Sequence, residues 1–154
     1  MEIKELIRIF EENFLEYSKL LRKLKKENPH ESTSRFLPDS EISIAQLTNL
    51  ENEIIELRLK KILKEEHPYI PQINIENLNH DPHFERLPIT QIYDHFLKQK
   101  KEVLKLLYSL PIEYWDRTGV HEMEGHVAFK ELIRRMVEKD RQILGNFKST
   151  LKAH

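Results

Sequence analysis

The sequence contains no cysteine, only three glycines among its 154 residues, and no long apolar run. The absence of cysteine excludes disulfides, thiolate zinc sites and cysteine nucleophiles. No apolar stretch approaches the roughly 20 residues that a membrane-spanning helix needs. The N-terminal segment is acidic and amphipathic and lacks the apolar core of a signal peptide. We therefore expect a cytoplasmic protein with no membrane partner.

The chain also lacks an excess of charge of either sign. Lys and Arg number 25 and Asp and Glu number 26, which gives a formal net charge of -1. Nucleic-acid binding relies on clustered, uncompensated Lys and Arg. The basic run RKLKKE at positions 22–27 fits the solvated C-terminal end of a helix, where cations are favoured. The sequence thus predicts no nucleic-acid partner.

Four long segments carry apolar residues at the three- and four-residue spacing of amphipathic helices. The first spans 3–24, the second begins at Asp39 or Ser40 and reaches 63, and the third and fourth span about 89–110 and 127–151. A short helical piece is expected after Pro111, because proline suits a first helical turn. The pattern predicts one all-α domain over residues 1–154, folded as a four-helix bundle.

A long connection separates the second and third predicted helices. Residues 65–88 are rich in Pro, Asn and His and show no clear period. A connection of that length is typical of a functional loop or of a crossover between distant helices. Within it, residues 69–75 form the only strand-like run, and Pro71 confines that run to a sheet edge or an extended loop. No substantial sheet is therefore predicted.

The stretch GVHEMEGH at 119–126 raises the question of a metal site. The zinc motif HExxH needs two histidines four residues apart on one helical turn, but His121 and His126 are five apart. Gly125 favours a turn between them, so a loop leading into the last helix is the preferred interpretation. His80 and His83 form a second pair, in HDPH, and are interpreted as surface residues of the long connection.

The segment 106–147 closely resembles the C-terminal part of DinB-like, or YfiT-like, proteins. The shared pieces are a Leu-rich helix end, YWDRTGVH, a glycine before the last helix, and ELIRRMVEKDRQIL. SIAQLTNLE at 43–51 is similar to the family segment in which a histidine and a leucine precede a glutamate. The resemblance covers roughly the whole chain. It implies an up-and-down-like four-helix bundle with a long crossover connection between the second and third long helices.

Family members typically hold a divalent metal with three histidines, one from the second helix and two from an HxxxH pair on the last helix. Several are known or suspected thiol-dependent transferases or hydrolases. The resemblance aligns Gln46 with the first of these histidines, Lys139 and Ile143 with the pair, and Gln142 with a further histidine. An isoleucine has no lone pair, a lysine ammonium repels a dication, and a glutamine oxygen is a weak zinc or nickel ligand. We therefore expect no metal centre of the usual kind and no cofactor.

The aligned positions define a candidate pocket formed by Gln46, Lys139, Asp140, Gln142 and Ile143. We expect Ile143 to pack into the core. For Lys139 two interpretations stay open. In the favoured one its ammonium extends to solvent. In the other it is buried in place of the metal charge, hydrogen-bonded to Gln46 or paired with an acid such as Asp140 or Glu51.

Two further residues match the family and are predicted to be structural. Trp115, the single tryptophan, is expected to anchor the short helix on the bundle, with its indole N–H requiring a partner. Arg117 is expected to clamp a neighbouring carboxylate.

Three functions are compatible with these features. The favoured one is a metal-free binding, accessory or stress-related protein with a small-molecule ligand and no assigned reaction. The alternative is a metal-dependent thiol transferase or hydrolase that binds zinc or nickel through His80, His83, His121 and His126. The third is a structural or dimerising module, since an apolar excess at Leu15, Leu20 and Ile55 could form the face of a homodimer.

Overall fold

The structure is a computed structural model, and it describes residues 2–27, 44–73 and 87–153. The helices are α1 (Ile3–Glu27), α2 (Ile44–Ile54), a π-helical turn (Ile55–Leu59), α3 (Lys60–Lys64), α4 (Ile89–Ser109), a 3-10 helix (Ile112–Asp116) and α5 (Phe129–Ala153). The strands are β1 (Tyr69–Ile70), β2 (Thr118–His121) and β3 (Gly125–Ala128). α2, the π-helical turn and α3 follow without interruption and form one long rod, the second bundle helix. Its predicted start at Asp39 or Ser40 lies outside the described residues.

The apolar faces of the four long helices meet in two layers. The first layer comprises Leu6, Ile9 and Phe10 of α1, Leu59 and Ile62 of the second bundle helix, Val103, Leu104 and Leu107 of α4, and Phe129, Leu132, Ile133, Met136 and Val137 of α5, together with Ile70, Trp115 and Val127. The second layer comprises Tyr17, Leu20 and Leu21, Leu47, Ile92, Tyr93 and Phe96, and Leu144. This arrangement confirms the predicted all-α four-helix bundle.

The layers also give the direction of each helix. α1 and α5 enter the first layer with their N-terminal halves, whereas the second bundle helix and α4 enter it with their C-terminal halves. α1 and α5 therefore run one way, and the other two long helices run the opposite way. The order is up, down, down, up rather than a simple alternation. Two consecutive parallel helices require a connection that returns the length of the bundle, which accounts for the long crossover between them.

A buried polar layer separates the two apolar layers. Each long helix contributes at least one charged or amide side chain to it, at the point where its apolar stripe passes from one layer to the other. These side chains are Asn13, Glu51, Gln99, Lys100 and Asp140. The Asn13 side-chain amide donates to the Val137 carbonyl oxygen at 3.2 Å and so joins the two helices that run in the same direction.

A three-stranded sheet at one end of the bundle corrects the predicted loop at GVHEMEGH. β2 pairs in parallel with β1 and antiparallel with β3, in the order β1-β2-β3. The last helix consequently begins at Phe129, after the hairpin, and not at Val127. Gly125 has a φ of 76°, the left-handed conformation that favours glycine, so the expected turn at this residue is observed.

Trp115 and Arg117 attach the sheet end to the bundle. Trp115 is buried in the first layer, with its ring 5.4 Å from that of Phe129 in an edge-to-face arrangement. Arg117 clamps no carboxylate among the described residues: its Nε donates to the Ile62 carbonyl at 2.8 Å and its Nη2 to the Glu65 carbonyl at 2.9 Å. These carbonyls lie at the C-terminal end of α3, where a cation is favoured by the unpaired carbonyls and by the helix dipole.

The three residues of the suggested dimer face do not lie on one exposed surface. Leu15 is exposed, but Leu20 is buried in the second apolar layer and Ile55 is half-buried against the first. Leu20 and Ile55 widen the core instead, whereas Leu15 stays on the surface. No helix in the described part of the chain is both long enough and apolar enough to cross a membrane.

The close approach of β1 to β2 at Gly119 gives a stability prediction. A Cβ atom at this position would overlap the Ile70 side chain and lie 3.1 Å from the Pro68 carbonyl oxygen. We expect Gly119→Ala to lower the free energy of unfolding by about 1–3 kcal/mol, because the strand must shift to admit a methyl group. Urea denaturation measures this change.

Gly145→Ala is the matched control. Gly145 is exposed within α5, and a methyl group added there would meet no neighbour within 4 Å among the described residues. Alanine is the better helix former at this position and should raise stability by up to about 1 kcal/mol. Equal effects of the two substitutions would contradict the steric account of the sheet.

Candidate functional site

The polar layer contains a buried ion cluster that joins three helices. The Lys100 Nζ atom of α4 lies 2.9 Å from Glu51 Oε1 of α2 and 2.7 Å from Asp140 Oδ2 of α5, and all three side chains are 1% exposed. A buried ammonium is costly unless charged partners surround it. Two carboxylates and one ammonium at these distances supply that compensation.

Aromatic groups complete the surroundings of the cluster. The Tyr17 hydroxyl of α1 donates to Asp140 Oδ1 at 2.9 Å, so all four long helices contact the ion cluster or its ligands. The Lys100 Nζ atom also lies 5.5 Å from the ring centre of Phe10 and 5.4 Å from that of Phe96. Ring faces attract a cation at such distances. The ammonium is therefore held between carboxylates and between aromatic rings.

The pKa values in the cluster reflect a competition between burial and charge. Burial alone would lower the pKa of Lys100, but the Asp140 and Glu51 carboxylates raise it above its ordinary value, so the lysine stays charged. Burial raises the pKa of Asp140, and the Lys100 ammonium opposes this rise only in part. The pKa of Tyr17 is raised by burial and by the neighbouring Asp140 carboxylate, which keeps its hydroxyl a hydrogen-bond donor.

This cluster assigns the predicted internal cation to a different lysine. The hypothesis placed the ammonium of Lys139 beside Asp140 or Glu51. Lys100 occupies that place, and Lys139 forms no ion pair among the described residues. The physical reason is helical position: Lys100 follows Phe96 by four residues and shares its inward face, whereas Lys139 lies one residue before the inward-facing Asp140.

Lys139 instead lines an open cleft between α2 and α5, the α2/α5 cleft. Its apolar lining residues are Leu50, Ile54, Ile73, Leu132 and Met136. Its cationic groups are Arg58, Arg135 and Lys139. The cleft has a volume of about 260 Å³. An apolar wall with a few polar groups is the usual composition of a small-molecule site.

The three cations of the cleft differ in how they are compensated. Arg135 donates to both carboxylate oxygens of Glu124, at 2.9 and 2.6 Å, and its Nε donates to Glu131 at 3.2 Å. Arg58 donates from Nη2 to the Pro71 carbonyl at 3.2 Å, and its buried Nε has no hydrogen-bond partner among the described residues. Arg58 and Lys139 are thus cations without an ion pair in that part of the chain.

Burial and mutual repulsion act on both of these cations. Burial lowers the pKa of Arg58, and the neighbouring Arg135 lowers it further. Burial also lowers the pKa of Lys139; Glu51 opposes this, while Lys100 and Arg58 add to the lowering. Glu124 opposes the lowering for Arg58, and Asp140 opposes it for Lys139, so burial is the largest cause for both cations and charges of both signs act on them.

The remaining candidate pocket residues lie around the cleft rather than in it. Gln46 is half-buried one turn before Leu50, Gln142 is exposed on α5, and Ile143 packs against the second apolar layer, as expected. Asp140 belongs to the buried ion cluster. Of the five predicted pocket residues, the structure places only Lys139 in the wall of the α2/α5 cleft.

A larger cleft of about 430 Å³ lies on the other side of the second bundle helix, against α4. Leu59, Leu63, Val103 and Leu106 are among its apolar lining residues, and Lys60 and Glu102 are among its polar ones. Lys60 is paired with Glu56. This cleft is the more spacious, but its described lining offers no buried donor without a partner, so the chemistry favours the smaller one.

The four histidines of the alternative metal site do not come together in the described residues. His80 and His83 lie outside those residues. His121 pairs with Gly125 and His126 with Val120 across the hairpin, so the two histidines point to opposite faces of the sheet. The buried His121 accepts the Met123 and Glu124 N–H groups at Nδ1, at 3.1 and 3.2 Å, and thereby closes the hairpin turn.

His126 contacts a histidine that the sequence did not single out. Thr118 Oγ1 lies 3.0 Å from His67 Nδ1 and 3.3 Å from His126 Nδ1, and the two rings are 5.6 Å apart. His67 has a φ of 46°, uncommon for a residue with a side chain. The exposed pair has no third His, Cys, Asp or Glu placed with it to hold a metal, nor does the described part of the chain contain such a group elsewhere.

Sequence patterns missed Lys100, Arg58 and the pair of His67 with His126. Lys100 carries a signal in retrospect, because it stands four residues after Phe96 and three before Val103, inside the apolar stripe. Arg58 lies in the π-helical turn, whose extra residue changes which side chains face the cleft, and no helical periodicity foretells it. His67 and His126 meet only through sheet pairing, which local sequence does not specify.

The comparisons with known proteins bear on the fold. No protein-family model matches the chain, and no curated protein matches its sequence. Among solved structures, it resembles YfiT from Bacillus subtilis, a probable metal-dependent hydrolase with an unusual four-helix bundle topology. The TM-score is 0.69 at 14% sequence identity, and the match covers 96% of this chain and 85% of that chain. The predicted DinB/YfiT-like bundle is thus confirmed as a fold.

The buried ion cluster gives a second prediction. Lys100→Met leaves two buried carboxyl groups without their cation and should lower the free energy of unfolding at pH 7 by about 3–5 kcal/mol. The folded pKa of Asp140 is already raised and rises further without the ammonium. A group with such a shift favours the fold at low pH and loses that contribution as pH rises. The loss caused by Lys100→Met should therefore shrink towards about pH 5, as urea denaturation at both pH values will measure.

Lys98→Met is the control for this substitution. Lys98 is exposed on the same helix, two residues before Lys100. Removing its charge should change stability by less than about 0.5 kcal/mol at either pH. If Lys100→Met costs no more than Lys98→Met, the ion cluster does not have the energetic role described.

Proposed function

We propose that this chain is a metal-free binding protein with a YfiT-like bundle, and that it binds a small-molecule ligand in the α2/α5 cleft. The observation that carries the proposal is the pair of cations, Arg58 and Lys139, which line an apolar cleft without a carboxylate partner among the described residues. Cations that line a cleft without an ion pair favour a ligand that accepts hydrogen bonds or carries the opposite charge. An accessory or stress-related role in the cytoplasm, as a homodimer, completes the proposal.

The chemistry of the cleft argues against a divalent cation at this place. Lys139 and Ile143 stand where the family resemblance puts a pair of metal-binding histidines. An ammonium and a guanidinium repel a dication, and the alkyl side chain of Ile143 provides no electron pair. The two carboxylates nearest in the polar layer, Glu51 and Asp140, are already engaged by Lys100. The cationic cleft is suited to a different kind of ligand.

The alternative function is a metal-dependent transferase or hydrolase with ligands drawn from the loop histidines. One observation favours it: the structural neighbour YfiT is itself described as a probable metal-dependent hydrolase. His126 with His67 supplies two imidazoles near the sheet end of the bundle. Such an enzyme would place zinc or nickel at that end, away from the α2/α5 cleft.

Metal analysis separates the two functions. Protein purified without an affinity tag and dialysed against metal-free buffer should contain far less than one equivalent of zinc or nickel. Addition of either metal should leave the melting temperature unchanged, because the proposal includes no site whose occupancy stabilises the fold. One tightly held equivalent that disappears in His126→Ala would overturn the proposal in favour of the enzyme.

A cleft-filling variant tests where ligands bind. Ile54 is half-buried in the cleft wall, so Ile54→Trp should fill the cleft and abolish the melting-temperature shifts that a mixed library of anionic, neutral and cationic small molecules produces in the wild type. Leu15→Trp, on the exposed face of α1, should leave them intact. Shifts that survive Ile54→Trp would place binding outside the cleft, and a library without a single shift would contradict the binding function.

A further inference from the structure

We infer that the ligand of the α2/α5 cleft is a small monocarboxylate with a short aliphatic body, its carboxylate bound by Arg58 and Lys139. This inference rests on the proposed binding function and adds the chemical class of the ligand. The described side chains of the cleft contain three cations and no carboxylate. Only one of those cations, Arg135, is compensated by ion pairs within the described part of the chain.

Arg58 is positioned to receive an anion. Its Nη2 atom donates to the Pro71 carbonyl at 3.2 Å, its Nε atom is buried without a partner, and its guanidinium forms no ion pair among the described residues. A guanidinium offers the planar edge that matches a carboxylate. A neutral hydrocarbon in the cleft would leave the charge of Arg58 without a counter-ion among the described residues.

The π-helical turn accounts for how Arg58 reaches this place. It spans Ile55–Leu59, between the α-helical parts of the second bundle helix. A π-helical turn contains an extra residue, rotates the following side chains around the helix, and is frequent at functional sites. In this turn Leu59 is buried in the first apolar layer while Arg58 lines the cleft.

Lys139 supplies the second charge from the facing helix. It lies one turn after Arg135 on α5. Burial is the largest cause of the lowered pKa of Lys139, and the nearby Arg58 adds to the lowering. Two cations that repel each other across a cleft gain from an anion placed between them. Partial burial strengthens that attraction relative to water. The same cations would reject an aliphatic amine.

The size and the walls of the cleft select the rest of the ligand. A cleft of about 260 Å³ lies at the lower end of the size of small-molecule pockets, so it favours a small ligand. Leu50, Ile54, Leu132 and Met136 present apolar surface, so the body opposite the charge is hydrocarbon. A short fatty acid such as hexanoate meets both conditions, whereas inorganic phosphate leaves the apolar wall uncovered.

The inference is tested by titration calorimetry with three ligands of one chain length: hexanoate, hexan-1-ol and hexylamine. Hexanoate should bind at least about tenfold more tightly than hexan-1-ol, since a charge-assisted pair contributes more than a neutral hydrogen bond. Hexylamine should not bind. Inorganic phosphate should not compete with hexanoate.

Variants assign the charge contacts. Arg58→Gln and Lys139→Met should each weaken hexanoate binding by at least about tenfold and leave hexan-1-ol binding unchanged. Arg58→Lys, which keeps the charge but loses the planar edge, should fall between Arg58→Gln and the wild type. Arg141→Gln is the matched control, because Arg141 is exposed on α5, two residues after Lys139. This variant should bind hexanoate as tightly as the wild type does.

The outcomes distinguish this inference from the proposed function. Equal binding of hexanoate and hexan-1-ol, abolished for both by Ile54→Trp, overturns the carboxylate assignment and leaves the cleft a binding site. Phosphate that competes as strongly as hexanoate likewise overturns it, because the hydrocarbon body then contributes nothing. Failure of all three six-carbon ligands, together with a silent library screen, overturns the inference and the proposed function together.

Discussion

The pairing of Lys100 with Glu51 and Asp140 is the interaction on which the rest of the structure depends. It places an ammonium where the four long helices meet, with two aromatic rings beside it and the Tyr17 hydroxyl on one carboxylate. Such a cluster is weak evidence for net stability, because desolvation offsets much of the attraction. Its larger effect is on register, since sliding any one helix by a residue would leave a charge buried without its partner.

The same cluster determines what the neighbouring cleft can be. Lys100 pairs with Glu51 Oε1 and Asp140 Oδ2, so both of these buried carboxylates are engaged in the ion cluster, while Lys139 lines the cleft wall without an ion pair among the described residues. Arg135, one turn earlier on α5, is tied to the hairpin by Glu124. The cleft therefore combines an apolar wall with three cations, of which only Arg135 is ion-paired within the described part of the chain. Bundle, hairpin and cleft are connected through a small number of charged side chains.

Much of the fold was predictable, whereas the contacts of the site were only partly so. Helical periodicity predicts the long helices, because apolar stripes are local and repeated. The resemblance implied the crossover, but it implied an up-and-down-like order, whereas the helices run up, down, down, up. The β2–β3 hairpin was missed because each of its strands has only four residues. Strands this short contain no long run of alternating apolar and polar residues. Lys139 was one of the candidate pocket residues and lines the α2/α5 cleft. The choice between Lys139 and Lys100 as the buried cation, however, depends on helix rotation within the bundle, which only packing determines. The position of Arg58 in the cleft depends on a π-helical turn, and the contact between His67 and His126 depends on strand pairing. Neither can be read from local sequence.

The spread of the polar layer along the chain has a consequence for how the protein folds. The hydrogen bond between Tyr17 and Asp140 joins residues that are 123 positions apart in the sequence, and that between Lys100 and Asp140 joins residues 40 positions apart. The three charges of the ion cluster come from three different helices, so a fragment or a nascent chain that lacks α5 exposes or strands a charge. Contacts between residues so far apart in sequence are associated with slower folding than the local contacts of most helical bundles.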